Sequence, residues 1–300
     1  MIIDRKDLEI IRSIENNGLF PEVQKKELSI SENDLINRLE KLKRHGIITG
    51  FKSVIFVPKY LGGEWAFCCV FAYAHNRNAV IKEICSRIPF VTEVWLNTNV
   101  PAECGHNLAL LFYSRNVEQE TRFLKEIKEI SFFSWHVILR YEFPVPQELS
   151  RDEKAFLCAI LEQPNASSDK WSDVCNVNKK WFESKINRLF RWKENPHGLI
   201  QILPEIKFVN AENFAHCHFI IECQDYIELI FEELKNSGFS LISPLSIQPY
   251  FYLESDVWSL IDLSTKIRYL NSFREIKFKG IVIAEEKLIF TDWVRDLLYK

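Results

Sequence analysis

Glycine is scarce in this chain: there are nine in 300 residues, and no two are spaced G-x-G or fall in G-x-x-x-x-G-K. Rossmann and P-loop phosphate cradles need glycine to bring the backbone close to phosphate, so both are excluded. The eight cysteines contain no C-x-x-C pair, which argues against zinc ribbons and thioredoxin-like redox centres and leaves reduced structural thiols. No His-Glu-x-x-His and no Gly-x-Ser-x-Gly is present. The longest uninterrupted apolar stretch, residues 65–74, is ten residues between Glu64 and His75. That is a core strand, well short of the roughly 18 residues of a membrane span. The opening MIIDRKDLEII scatters charges among its apolar residues, so no secretory signal is expected and the chain is expected to be cytoplasmic. A net charge of −3 gives no global attraction to nucleic acid, although a local basic patch can exist on such a chain.

What is present is an ordinary globular composition, 47% apolar and 26% charged, in a length that predicts about two domains. Residues 7–17 carry Leu8, Ile11 and Ile14 at helical spacing with Gly18 as a stop. Pro21 opens a second short helix to residue 28. Ser31 caps a third, SENDLINRLEKLKRHG, whose Leu35, Leu39 and Leu42 form one stripe and which Gly46 ends. IITGFKSVIF then reads as two β-pieces around Gly50, the wing of a winged helix-turn-helix. Beyond residue 61 the pattern becomes strand 64–73, helix 78–88, strands 91–100 and 106–114, helix 117–130 and strand 132–143. That βαββαβ order is a ferredoxin-like sandwich.

The stretch FPVPQELS reads as a linker, and after it the pattern recurs. VNKKWFESKINRLFRW lies over ISENDLINRLEKLKRH at an offset of 147, with Asn178 in place of the Ser31 cap and Phe182, Ile186 and Leu189 in place of the leucine stripe. A second βαββαβ is expected as strand 216–223, helix 226–236, strands 241–251 and 256–263, helix 265–274 and strand 278–289. A short helix follows from residue 291. The expected fold class is α+β: two repeats of a winged helix-turn-helix followed by a ferredoxin-like βαββαβ sandwich. The expected domains are residues 1–60, 61–145, 149–212 and 213–300.

The opening DRKDLEIIRSIENNG, the segment SISENDLINRLEKLKRHGIITGF and GHNLALLFY together resemble the leucine-responsive/asparagine (Lrp/AsnC) family of transcriptional regulators. The resemblance implies a head that binds double-stranded DNA, a sandwich that senses a small amino-acid-like effector, and pairing of sandwich sheets between subunits. A chain with two units would supply both halves itself, as an intrachain pseudo-dimer open to further homo-oligomerisation. The apolar WAFCCVFAYA fits a sheet face that needs such cover.

A recognition helix lays polar and basic side chains in the major groove while phosphate contacts fix its register. Residues 168–193 hold seven basic against three acidic side chains, a local charge of +4, whereas residues 31–46 hold four against three, or +1. Copy two is therefore the expected anchor, with Lys179, Lys180 and Ser184 near base edges and Lys185 and Arg188 on phosphates. Asn33, Asn37, Arg38 and Lys41 make a lighter contact. The competing view is a solvated lysine face. Gly105, His106 and Asn107 stand at the turn where the family resemblance places an effector; at an offset of 149 they align with Glu254, Ser255 and Asp256 in copy two, of which Ser255 and Asp256 are expected on the other side of the pocket. A plain tight turn is the alternative. His216 and His218, two apart on a strand, point to one face, but the sequence fixes no carboxylate beside them. Structural histidines are expected, with no metal, cofactor or catalytic residue.

A second class is an enzyme. The same two-part fold resembles the siroheme decarboxylases, with His106 directly before Asn107 and Leu108. The arginine- and histidine-rich cluster a tetrapyrrole's carboxylates need is missing from VTEVWLNTNVPAEC. A third class is a regulator-like interaction protein without DNA binding.

Overall fold

A computed structural model describes residues 1–19, 21–98, 105–164, 166, 168–175, 177–191, 195–196, 198–223, 228–242 and 250–299. The fold is α+β. In chain order the first copy runs through α1 (Arg5–Asn17), α2 (Pro21–Leu28), α3 (Glu32–Arg44), β1 (Ile48–Ile55), α4 (Val57–Leu61), β2 (Gly63–Ala74), α5 (Arg77–Arg87), β3 (Val91–Asn97), β4 (Leu108–Ser114), α6 (Val117–Glu126) and β5 (Ile130–Phe143). The second runs through α7 (Arg151–Glu162), α8 (Ser168–Cys175), α9 (Lys179–Leu189), β6 (Ile200–Lys207), β7 (Ala215–Cys223), α10 (Glu228–Asn236), β8 (Ser240–Leu241), β9 (Tyr250–Val257), α11 (Leu260–Leu270), β10 (Ile276–Ile289) and α12 (Asp292–Tyr299). Two compact units result. One gathers Met1–Ile3, Trp65–Arg140 and Lys207–Leu288, which hold both sandwiches; the other gathers Asp4–Glu64, Tyr141–Ile206 and Ile289–Lys300, which hold both heads.

In the head unit, local chemistry sets the helix ends. Asp4 and Asp7 form a capping box on α1, and Ser150 and Glu153 repeat it on α7. The Asp34 amide donates to Ser31 Oγ (3.1 Å), and in copy two the Trp181 amide donates to Asn178 Oδ1 (2.8 Å). Gly18 closes α1 at φ 74°, a left-handed value that favours glycine, and a Cβ there would lie 3.2 Å from the Ile202 amide nitrogen. Leu8, Ile11, Leu35 and Leu42 are buried in head one, and Phe156, Leu157, Ile160 and Leu189 in head two.

The wings differ from expectation. IITGFKSVIF does not fold back on itself: β1 is one strand, and it pairs antiparallel with β6, from Ile48 against Ile206 to Ile55 against Ile200. Gly50 marks a register shift at its start and not a turn. The run lacks a two-residue turn, and buried Phe51, Val54 and Ile55 need a partner, which the matching strand of the other copy provides.

In the sandwich unit the strand order is β5-β2-β4-β3-β10-β7-β9-β8, two ferredoxin-like sheets of like order joined at the β3 and β10 edges. The Thr98 amide donates to the Ile283 carbonyl at that joint (2.8 Å). Alternation divides each strand between two faces. Cys217, Phe219, Ile221 and Leu253 face the helices of copy two, together with Leu234 of α10 and Leu270 of α11. Cys69, Phe71 and Ala109 face the other way and pack against Ile220, Tyr252 and Val282. Phe71 and Tyr252 stack there, with ring centroids 4.1 Å apart. The intrachain sheet pairing expected from the sequence is present within this unit.

The third strand of copy two is not where the repeat offset put it. β9 spans Tyr250–Val257, and Ser259 then caps α11, its Oγ accepting from the Asp262 amide (3.1 Å). The expected strands 241–251 and 256–263 and helix 265–274 are shifted accordingly. Ala66 pairs with Ser114 in copy one as Ala215 pairs with Val257 in copy two, so the offset falls from 149 on the first strands to 143 on the third.

Replacing Phe71 with Ala removes the stacked ring from a fully buried site and is expected to lower the unfolding free energy by about 3–5 kcal/mol. Urea denaturation measures it; a loss under about 1 kcal/mol would show that the two sheet faces do not depend on this contact.

Candidate functional site

The helices that the sequence offers as recognition helices are α3 and α9, and each is held to the first helix of its head by a buried carboxylate. Asp7, at the third position of α1, is wholly buried; its Oδ1 accepts from Arg38 (2.8 Å) and its Oδ2 from Lys41 (2.8 Å). Arg38 also reaches Asp4 (3.0 Å) and Asp34 (3.2 Å). Its guanidinium is held above the usual arginine range, first by Asp4, against the cost of burial. In copy two Glu153 occupies the place of Asp7, 2% exposed, with Lys185 at 3.3 Å and Arg188 at 3.5 Å. Burial pushes the Glu153 carboxyl up, but the Ser150 amide, Arg188 and Lys185 outweigh it and hold it below the usual range.

This changes the roles read from the sequence. Arg38, Lys41, Lys185 and Arg188 turn onto internal carboxylates, because a desolvated carboxylate must be paired. These pairs hold the third helix of each head against its first. Asn33, Asn37, Lys180 and Ser184 are exposed on α3 and α9, as expected of groove-facing positions, with Ser184 Oγ also donating to the Trp181 carbonyl (2.6 Å). The Lys179 side chain lies outside the described residues. Arg191 lies over the Phe56 ring at 4.2 Å.

The sandwich unit contains a polar cluster within its apolar interface. Four of the seven histidines of the chain, His106, His136, His216 and His218, meet there. His106 Nε2 and His218 Nδ1 are 3.1 Å apart; Ser134 Oγ bridges His136 Nε2 (3.0 Å) and the Tyr252 hydroxyl (3.1 Å). Burial pushes His106 down to about 3 and His136 to about 4, with His136 adding to the shift on His106. Burial, His106 and His216 hold His218 well below its usual value. All three are neutral at physiological pH. His216 Nδ1 lies 3.1 Å from Asp256 Oδ1, and His218 Nε2 lies 3.8 Å from Glu254. Trp95 and Phe208 flank His216 with ring centroids at 5.5 Å.

The expected effector set is not assembled. Asn107 grips β2, its Oδ1 accepting from the Ala74 amide (2.8 Å) and its Nδ2 donating to the Ala74 carbonyl (2.9 Å). Ser255 faces away from the cluster and donates to the Gly238 carbonyl (2.7 Å). Gly105 is buried beside His106. Only His106 and Asp256 join the cluster, through His218 and His216. The six-residue fall in the repeat offset explains the error: the copy-two counterparts of 105–106 are 248–249, outside the described residues. Sequence reasoning missed His136, Ser134, Tyr252 and Glu254. For Glu254 the signal was available: on antiparallel strands it stands opposite His218, as Asp256 stands opposite His216.

No family model matches the chain. A leucine-responsive regulatory protein of Rhizobium meliloti (strain 1021) is 26% identical over 98 residues, 31% of this chain and 62% of that protein. The HTH-type transcriptional regulator Ptr1 of Methanocaldococcus jannaschii is 45% identical over 65 residues, 21% of this chain and 43% of that protein. The chain resembles the Lrp/AsnC regulators. It spans less than two thirds of the length of either curated relative. Among solved structures, the siroheme decarboxylase NirDL aligns over 98% of this chain and 97% of its own at 14% identity, with a TM-score of 0.49. Escherichia coli AsnC aligns over 50% of this chain and 99% of its own at 21% identity, with a TM-score of 0.28. At those values neither structural likeness bears on function. Among the described residues, no helix is long and apolar enough to cross a membrane.

Two measurements check the geometry. The unfolded chain protonates its histidines below about 6.5, while the fold keeps His106, His136 and His218 neutral. Their contribution to stability is therefore complete above pH 6.5 and is lost as pH falls towards 4, at up to about 1.4 kcal/mol per pH unit for each histidine. Urea denaturation from pH 7.5 to 5 is expected to show this slope, reduced by about one proton in His136→Gln; an unchanged slope would mean that His136 titrates freely. In the heads, Glu153→Gln leaves Lys185 and Arg188 without a charge partner and is expected to cost about 1–2 kcal/mol in the same assay.

Proposed function

We propose that this protein is a cytoplasmic DNA-binding transcriptional regulator of the Lrp/AsnC type that acts as an intrachain pseudo-dimer. The observation that carries the reading is the pair of recognition helices in one unit, each fixed by a buried carboxylate and both tied together by the β1–β6 pairing. The similarity to the two curated transcriptional regulators supports it. Asn33 and Asn37 in copy one and Lys180 and Ser184 in copy two meet the duplex, Asn having the geometry to pair with adenine. Arg38, Lys41, Lys185 and Arg188 act through the carboxylates that they hold. With so many cations engaged internally, affinity is modest and copy two, with Lys180, is the anchor.

Gel shifts with duplex DNA at 50 and 200 mM salt test this. Lys180→Ala with Ser184→Ala is expected to weaken binding about tenfold and to reduce the salt slope by about one unit, and Asn33→Ala with Asn37→Ala to weaken it about threefold. Folded protein that shifts no duplex at 50 mM salt would remove the regulator reading.

One observation favours a second reading, an enzyme of the siroheme decarboxylase kind: the dense His-Ser-Tyr cluster of the sandwich unit is the chemistry of a reaction centre more than of a lining. Adding siroheme and following its visible absorption decides it. An unchanged spectrum excludes this enzyme.

A further inference from the structure

The sequence placed His216 and His218 on one strand face and offered no third ligand. In the structure, antiparallel pairing of β7 with β9 sets Glu254 opposite His218 and Asp256 opposite His216, all four on the face turned away from the helices of copy two. The ligand atoms of His216, His218 and Glu254 lie within 4.8 Å of one another. We infer that these three residues form a binding site for one divalent first-row transition ion. This inference goes beyond the regulator reading and does not depend on it.

Four features support it. His218 is 3% exposed, and among the described residues its Nε2 has no hydrogen-bond partner, which is costly unless something else satisfies the atom. The other nitrogen of each imidazole is already oriented. His218 Nδ1 meets His106 Nε2 at 3.1 Å and His216 Nδ1 meets Asp256 at 3.1 Å, so both Nε2 atoms are the ones presented. A carboxylate behind a ligating histidine, as Asp256 stands behind His216, is the usual second support of a metal site, and His106 holds the His218 ring in place. Charge also balances: two neutral imidazoles with Glu254 and Asp256 carry two negative charges against a divalent cation, while the nearby Lys287 is paired with Glu93 (3.3 Å). Finally, the side chains need to close only slightly, because atoms sharing a tetrahedral ion stand roughly 3.3 Å apart. Glu254, 37% exposed, has room to move in.

The donor set specifies the ion. Two imidazoles and one carboxylate suit zinc, cobalt, nickel or ferrous iron in preference to calcium or magnesium, and three protein ligands leave a position open for water or a small anion. The duplication makes the site single. Counterparts by strand register are Phe67 for His216, Cys69 for His218 and Leu111 for Glu254, so copy one has no equivalent trio.

The test uses the full chain stripped with a chelator and dialysed, then titrated with Co²⁺ by visible absorption and with Zn²⁺ by calorimetry. One ion per chain is expected, with the d–d bands of a low-coordinate cobalt site and a raised thermal transition. Glu254→Gln and His218→Ala are each expected to weaken binding at least tenfold, Asp256→Asn by roughly 10–100-fold, and His45→Ala, on an exposed head residue, not at all. Should His218→Ala fail to fold, Glu254→Gln at its partly exposed position still decides. No saturable binding of either ion at micromolar concentration, or binding unchanged in Glu254→Gln, overturns the site.

Discussion

A ferredoxin-like sheet covers one face with its helices and leaves the other bare, and the sandwich unit is organised around that deficit. Here the bare face of one copy is covered by the bare face of the other, with Phe71 stacked on Tyr252 at its centre. Each face can then be as apolar as a core without exposing a large patch to water. Covalent linkage keeps the partner at a fixed effective concentration, so the pairing needs no second molecule. The cost is that a polar group in this interface is cut off from bulk water and must find its partners nearby, as Ser134, His136 and Tyr252 do in a chain of their own.

The heads meet a different constraint with the same logic. A capping box places a carboxylate at the third helical position to satisfy the start of the helix, and packing of the recognition helix then buries that carboxylate. Two cations seven and ten positions after the N-cap of the third helix of each head resolve the conflict: Arg38 and Lys41, counted from Ser31, on Asp7, and Lys185 and Arg188, counted from Asn178, on Glu153. The identities differ, aspartate with arginine then lysine against glutamate with lysine then arginine, and the charge arrangement is kept. A count of basic residues along α9 therefore overstates what faces outward.

Features set by a few neighbouring residues were legible in the sequence. Ser31 and Asn178 as caps, the Leu35, Leu39 and Leu42 stripe and both βαββαβ orders depend on local spacing, and they appear in the structure. What depends on a distant partner was not legible. IITGFKSVIF has the composition of a hairpin or of one strand, and only β6, some 150 residues away, selects the strand. The internal use of Arg38 and Lys185 follows from the burial of Asp7 and Glu153, which no spacing reveals. The third strand of copy two failed for a simpler reason: a constant repeat offset was carried across a loop in which the two copies differ by six residues, moving Ser255 and Asp256 out of register.

Duplication within one chain also removes a symmetry requirement. In a homodimer, every residue placed at the two-sheet interface appears twice, so a histidine introduced on one side brings its copy on the other. In this chain the first copy keeps Phe67, Cys69 and Leu111 where the second has His216, His218 and Glu254. The helix side keeps a cysteine at the matching position in each copy, and burial pushes the Cys68 and Cys217 thiols up to about 12. The divergence lies on the inner face: both copies contribute to its polar cluster, His106, Ser134 and His136 from the first and His216, His218 and Tyr252 from the second, but with different residues at different positions. A fused pair can thus hold one asymmetric polar site without doubling the burial penalty that such a site imposes on the interface.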